Sequence, residues 1–156
     1  MTLASFNAAP AAEALAVMRA CCASARFAAA MVAGRPYPSA DAAAAAVDAA
    51  FATLTWDDVR EAMDGHPRIG ARVSGQSAAE QSGVADETRA ALAAGNAAYE
   101  ERFGHVFLIC AAGLSGEEML AALRERLDND PDTERKVATT ELRKITVLRL
   151  GKVLGS

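Results

Sequence analysis

The amino-acid sequence predicts an all-α fold, a single-domain multi-helix bundle of the whole 1–156 chain. Alanine fills 39 of the 156 positions, and it is the strongest helix former and a poor strand former. Apolar residues recur at three- and four-residue steps, the period of one helix face. Only three prolines follow residue 36 and aromatic residues make up 5%, a poor match to a β-sandwich or a collagen-like chain. The length suits one domain and allows roughly 70% of the unfolded surface to be buried.

The elements follow in order. The N-terminal stretch reads as one helix, with Pro10 near its start, where a missing N–H costs nothing. Leu15, Met18 and Cys22 share a stripe that Phe27 and Met31 continue until Gly34-Arg35-Pro36. Ser39 to Leu54 is the next helix, opened by a Ser or Asp cap, with Val47, Ala50, Phe51 and Leu54 on one face. The run of five alanines inside it reads as a packed helix face. Thr55 and Asp58 form a capping signal for a helix bearing Trp56, Val59 and Met63 and closed by Gly65. Residues 66–85 lose periodicity, and long irregular segments inside compact domains are often functional.

Asp86 to Phe103 is helical, with Leu92, Asn96, Tyr99 and Phe103 at steps of 4, 3 and 4. Residues 104–113 are a short apolar run that periodicity leaves open between strand, helix and extended loop. Ser115 and Glu118 make a capping box for a helix with Met119, Leu120, Leu123 and Leu127 inward. Asn129-Asp130-Pro131 breaks it, and a last helix runs from about Asp132 to Leu150, ending at Gly151.

Composition narrows the function. The net charge of −4 argues against nucleic acid, whose partners carry a basic footprint. No apolar run is long enough to span a membrane. Cys21, Cys22 and Cys110 are an odd set with an adjacent pair, no disulfide framework, so a reducing cytoplasm is expected. His66 and His105 are the only histidines, and no pair has zinc spacing. Gly-rich phosphate loops are absent. Neither a metal nor a cofactor is expected.

Three places can carry chemistry. His66 follows a helix-closing glycine and precedes Pro67, which restricts its backbone. An imidazole on a stiff loop can move a proton near neutral pH, or simply bond to backbone. Glu80 and Gln81 lie in the same irregular segment. Glu80 can orient an imidazole, or serve Ser77 as the partner in a helix cap. Arg149 shares a stripe with Leu142 and Ile145. Arginine on an apolar face can bind a carboxylate in two-pronged fashion, or complement a helix C-terminus. His105, Asn96, Cys110, Cys21 and Cys22 read as packed residues, and Asp57-Asp58 and Glu100-Glu101 as solvated or helix-start charges.

Several motifs go beyond generic helix. They are HPRIG at 66–70, SxxEQxG at 77–83, NxxYxxRFG at 96–104, VFLICAAG at 106–113, RLxND at 126–130 and ELRKITVLRL at 141–150. In this order and spacing the chain resembles the OHCU decarboxylase family, over nearly its whole length. Those enzymes act on 2-oxo-4-hydroxy-4-carboxy-5-ureidoimidazoline, the last intermediate between urate and allantoin. The resemblance implies an all-α bundle, a homodimer, no cofactor and a small anionic substrate. It implies that His66 is catalytic, that Pro67, Ser77, Glu80, Gln81 and Arg149 contact substrate, and that Glu80 shares the catalytic role. It also implies that the stretch Ile109, Cys110 and Ala111 lines the pocket with its backbone. The chain differs from bacterial members at Gln76, where a tryptophan is common, and has a shorter 66–77 loop than animal members.

The function expected from this resemblance is cofactor-independent decarboxylation to (S)-allantoin. Two alternatives remain at this level: a non-enzymatic helical interaction domain, and a related enzyme acting on another ureido acid. The first calls for a large exposed apolar surface; an enzyme calls for His66, Glu80 and Arg149 in one polar pocket.

Overall fold

The structure is a computed structural model that describes residues 1–64 and 86–155. Among these residues there are eight helices and no strand. They are α1 (Leu3–Ala8), α2 (Ala11–Cys21), α3 (Ala25–Ala33), α4 (Ala40–Phe51), α5 (Trp56–Met63), α6 (Asp86–Phe103), α7 (Gly116–Arg126) and α8 (Pro131–Leu154). The chain forms two compact units, one of Met1–Gly65 with Thr139–Ser156, the other of His66–Ala138.

In the first unit the expected N-terminal helix is three helices. Thr2 opens α1 with a capping box to Ser5. Pro10 then caps α2. The chain turns extended at Cys22, and Ser24 restarts it by accepting the Phe27 N–H at 3.2 Å. The step of five from Cys22 to Phe27 marks this break, because a continuous stripe advances by three or four. The face that α2 buries is Ala14, Met18 and Cys21, with Leu15 only half-buried. Ser39 is the cap of α4, and of its alanine run only Ala43 is buried. Thr55 and Asp58 cap α5 reciprocally. Hydrogen bonds from Thr55, with help from Arg26, hold the Asp58 carboxyl below its ordinary range.

The core of this unit is Phe6, Met18, Phe27, Met31, Val47, Phe51, Met63 and Leu142, all essentially out of solvent. Phe27 and Phe51 meet edge to face, ring centroids 5.6 Å apart. Polar ties fasten the short helices to it. Arg35 donates through Nη1 to the Phe6 and Ala9 carbonyls, both at 2.8 Å, at the C-terminal end of α1. Asn7 brackets the Tyr37 backbone, donating to its carbonyl and accepting its N–H, each at 2.9 Å. The Tyr37 hydroxyl donates to the Met31 carbonyl at 2.6 Å.

Helix α8 runs through Gly151 to Leu154, four residues past the expected end at Leu150. Leu150 and Leu154 are both buried, and that burial outweighs the cost of about 1 kcal/mol for an interior glycine. Its start is Pro131, the residue after Asp130, which accepts from the Thr133 N–H at 3.1 Å and hydroxyl at 2.6 Å. Those bonds, the side-chain one foremost, keep the Asp130 carboxyl below its usual range. Buried positions recur every fourth residue, at Glu134, Ala138, Leu142, Thr146, Leu150 and Leu154. Arg149 therefore flanks the buried line, as does Ile145.

In the second unit α6 keeps its expected bounds. Leu92, Tyr99, Phe107, Ile109 and Leu123 form the core, with Phe103, Met119 and Leu120 packed against it. The ambiguous 104–113 run is neither helix nor strand. It leaves α6 through Gly104 (φ +79°) and turns toward α7 through Gly113 (φ +78°), both in the left-handed region that favours glycine.

Arg35→Met keeps most of the aliphatic stem but strips three carbonyls, those of Phe6, Ala9 and Val32, of a charged donor. We expect a loss of about 2 kcal/mol in urea unfolding, with helix content unchanged in water.

Candidate active site

The second unit is organised around a buried charge. Ser115 caps α7, accepting the Glu118 N–H at 3.1 Å, so that Arg126 falls in its last turn. The Asn129-Asp130-Pro131 turn then starts α8 and brings Glu134 back against Arg126. Glu134 is fully buried and Arg126 is 7% exposed. Arg126 donates Nε–H to Glu134 Oε1 at 2.6 Å, and its Nη2 lies 2.6 Å from the same oxygen, in ion-pair contact without hydrogen-bond alignment. Tyr99 donates its hydroxyl to Oε1 at 2.7 Å, and Asn129 donates Nδ2–H to Oε2 at 3.1 Å. The guanidinium also sits over the Phe107 ring, 4.5 Å from its centroid.

The remaining arm of Arg126 reaches the candidate site. Nη1 donates to the Leu108 carbonyl at 2.7 Å, in the irregular run just before Ile109. Ile109 is buried, Cys110 half-buried and Ala111 exposed, so the run passes from core to surface over three residues. His105, at its start, is packed as expected. Its ring meets Tyr99 edge to face at 5.4 Å and stacks on Phe103 at 6.1 Å, and Nδ1 lies 3.2 Å from the Val106 carbonyl.

In the first unit Arg149 is half-buried, and no hydrogen bond or ion pair joins it to another described residue. Its charge reaches the Cys21 and Cys22 thiols. Burial pushes both thiols up; Arg149 opposes this at each, and bonds involving Ser24 and Thr146 oppose it further at Cys22. These cysteines are protonated packing residues, as expected. His66, Pro67, Ser77, Glu80 and Gln81 lie outside the described residues. Among the described residues no cluster of His, Cys, Asp and Glu is arranged to hold a metal, and no helix is long and apolar enough to cross a membrane.

The sequence reading did not single out the Arg126–Glu134–Tyr99 network. Its signal was present: Glu134 lies one turn before Ala138 and two before Leu142, an acid on an apolar line. A buried carboxylate needs partners, and the nearby arginine and tyrosine supply them.

Fold and site together define an all-helical protein in which a buried ion pair holds an irregular backbone run. Comparison with known proteins narrows that class. Residues 7–151 match the model of the family described as OHCU decarboxylase, and the chain belongs to that family. A solved structure described as OHCU decarboxylase in the presence of (S)-allantoin is 35% identical, with TM-score 0.78 over 88% of this chain and 96% of that one. The uric acid degradation bifunctional protein TTL of Arabidopsis thaliana is 37% identical over 86% of this chain and 45% of its own length. The 2-oxo-4-hydroxy-4-carboxy-5-ureidoimidazoline decarboxylase of Amia calva is 49% identical over 38% of this chain and 34% of its own. The matched segments thus make up less than half the length of these two curated relatives.

Two outcomes follow from the buried network. Glu134→Leu leaves Arg126 buried and unpaired, and we expect a loss of about 3–5 kcal/mol in urea unfolding. The second concerns alkaline pH. Burial and the Glu134 carboxylate push the Tyr99 phenol far up, and burial also raises Tyr37. The folded state keeps protons that the unfolded chain loses at about pH 10, so this part of stability is full below pH 10 and falls above it. Phenolate absorbance near 295 nm should appear together with loss of helical circular dichroism. Phenolate formation at the ordinary pH with the helices intact would contradict it.

Proposed function

We propose that this protein decarboxylates 2-oxo-4-hydroxy-4-carboxy-5-ureidoimidazoline to (S)-allantoin, without a cofactor, in urate breakdown. The observation that carries the reading is the match to a solved OHCU decarboxylase over 96% of that chain at 35% identity. The reaction suits side chains alone. The carboxylate leaves as CO2, the electron pair of the broken bond passes into the adjacent C=N of the ring, and the ring nitrogen takes up a proton. The substrate hydroxyl gives up its proton as a carbonyl forms, and a proton is delivered to one face of the carbon bearing the ureido group. The substrate's own unsaturation takes the electrons.

His66 acts as general acid/base on the hydroxyl or the carbanion-like intermediate, with Pro67 restricting its backbone. Glu80 orients the imidazole or bonds the ureido group. Ser77, Gln81 and the backbone of Ile109, Cys110 and Ala111 fix the ring. Arg149 holds the anionic part of the substrate; the lack of an ion-pair partner among the described residues supports this role. The protein works as a homodimer in a reducing cytoplasm. Family resemblance supports the first statement, and three free cysteines the second. An interaction domain is less well supported, because the exposed large hydrophobics among the described residues are only Met1 and Leu148.

The test generates the unstable substrate in the cuvette from urate, with urate oxidase and hydroxyisourate hydrolase. Added protein should speed the ultraviolet decay above its spontaneous rate and give one-handed allantoin by circular dichroism. Unchanged decay with racemic product would overturn the reading. His66→Ala should lose about 10²–10⁴ in rate, and Arg149→Met should raise KM by about tenfold or more, each in a protein that still melts cooperatively.

A further inference from the structure

Arg126 uses its guanidinium on two different things. Nε and Nη2 face Glu134, while Nη1 holds the Leu108 carbonyl at 2.7 Å. The next residue, Ile109, is only 7% exposed, yet neither its N–H nor its carbonyl bonds another described residue. Buried backbone groups are almost always paired. An unpaired donor and acceptor on one residue match the neighbouring N–H and C=O of a urea or a ring amide. This irregular run has no strand neighbour among the described residues to fix its geometry. Its described side-chain anchor from α7 is Arg126, itself braced through Glu134 by Tyr99 and Asn129.

We propose that Arg126 is a positioning residue for the reaction. By gripping the Leu108 carbonyl it holds the Ile109 peptide groups unpaired and aligned for the substrate's ring or ureido amide. Arg126 itself touches no substrate. This rests on the decarboxylase reading above and extends it to a residue outside the family motif's expected contacts.

Three variants test it, each first checked for cooperative melting. Arg126→Lys keeps a charge opposite Glu134 but cannot fork to both partners. Arg126→Met with Glu134→Leu removes both charges, so no buried ion is stranded, and also removes the Leu108 anchor. Asn129→Ala leaves Arg126 in place and loosens only Glu134. In the double variant kcat/KM should fall about 10²-fold, the scale of a roughly 1 Å misplacement, mainly through KM. Arg126→Lys should be intermediate, and Asn129→Ala should show a smaller rise in KM.

A purely structural role would lower the melting temperature and leave KM and kcat at wild-type values. That result in a folded Arg126 variant overturns the proposal. If neither Arg126 variant folds, an unchanged KM in Asn129→Ala overturns it and a raised KM supports it. A wild-type protein that fails to accelerate the reaction sinks the decarboxylase reading instead. The anchoring is then judged by amide hydrogen exchange at Ile109. Faster exchange in the double variant, or in Asn129→Ala if that variant does not fold, supports it. Equal exchange overturns it.

Discussion

A carboxylate with no exposure to water governs the second unit. Glu134 is tolerable in the interior only because Arg126, Tyr99 and Asn129 all donate to it. Each partner comes from a different place: α6, the end of α7 and the turn before α8. Satisfying one charge therefore fixes the register of three segments at once. A hydrophobic residue at 134 would pack without requiring any of them, so the ion pair specifies geometry more than it adds stability. The same guanidinium reaches Leu108, which ties an otherwise irregular run to that geometry. The phenol stays protonated because it lies in the interior beside a negative charge, and a protonated phenol is the donor that the carboxylate needs.

The first unit solves a different problem. Helices of six to twelve residues are marginal alone, and an alanine-rich chain offers little side-chain area for packing. Large residues at a few places, Phe6, Phe27, Phe51 and the buried methionines, supply the core. The rest is done by polar groups that close helix ends. Thr2, Ser24, Ser39 and Thr55 cap N-termini, and Arg35 takes two carbonyls at the C-terminal end of α1. A helix end that is satisfied by a neighbouring element is both terminated and docked by the same bonds.

The polar residues act over different ranges along the chain. Caps such as Ser39 and Thr55 act within four residues of themselves and can be read from local sequence. Arg35, Asn7 and Tyr37 act over about thirty positions, and nothing local announces them. Arg126 and Glu134 are intermediate: eight positions apart, but meaningful only once a turn brings them together. Cys21, Cys22 and His105 carry reactive groups yet serve as packing, which their apolar neighbours already suggested.

By itself the sequence determined the helical class, the caps at Ser39, Thr55 and Ser115, the extent of α6 and the family. These depend on periodicity, capping chemistry and motif order, all of which are local or collinear. Tertiary structure decided the break at Cys22–Ser24 and the extension of α8 past Gly151. It also decided the conformation of 104–113, the place of Arg149 beside the buried line, and the pairing of Arg126 with Glu134. Each of these turns on whether a particular side chain finds a partner or leaves water. Leu154 keeps a helix going because it is buried; the run after Gly104 is irregular because α6 has ended there, and Arg126 holds it through Leu108. Burial and partnership are properties of the folded chain, and no stretch of sequence a few residues long contains them.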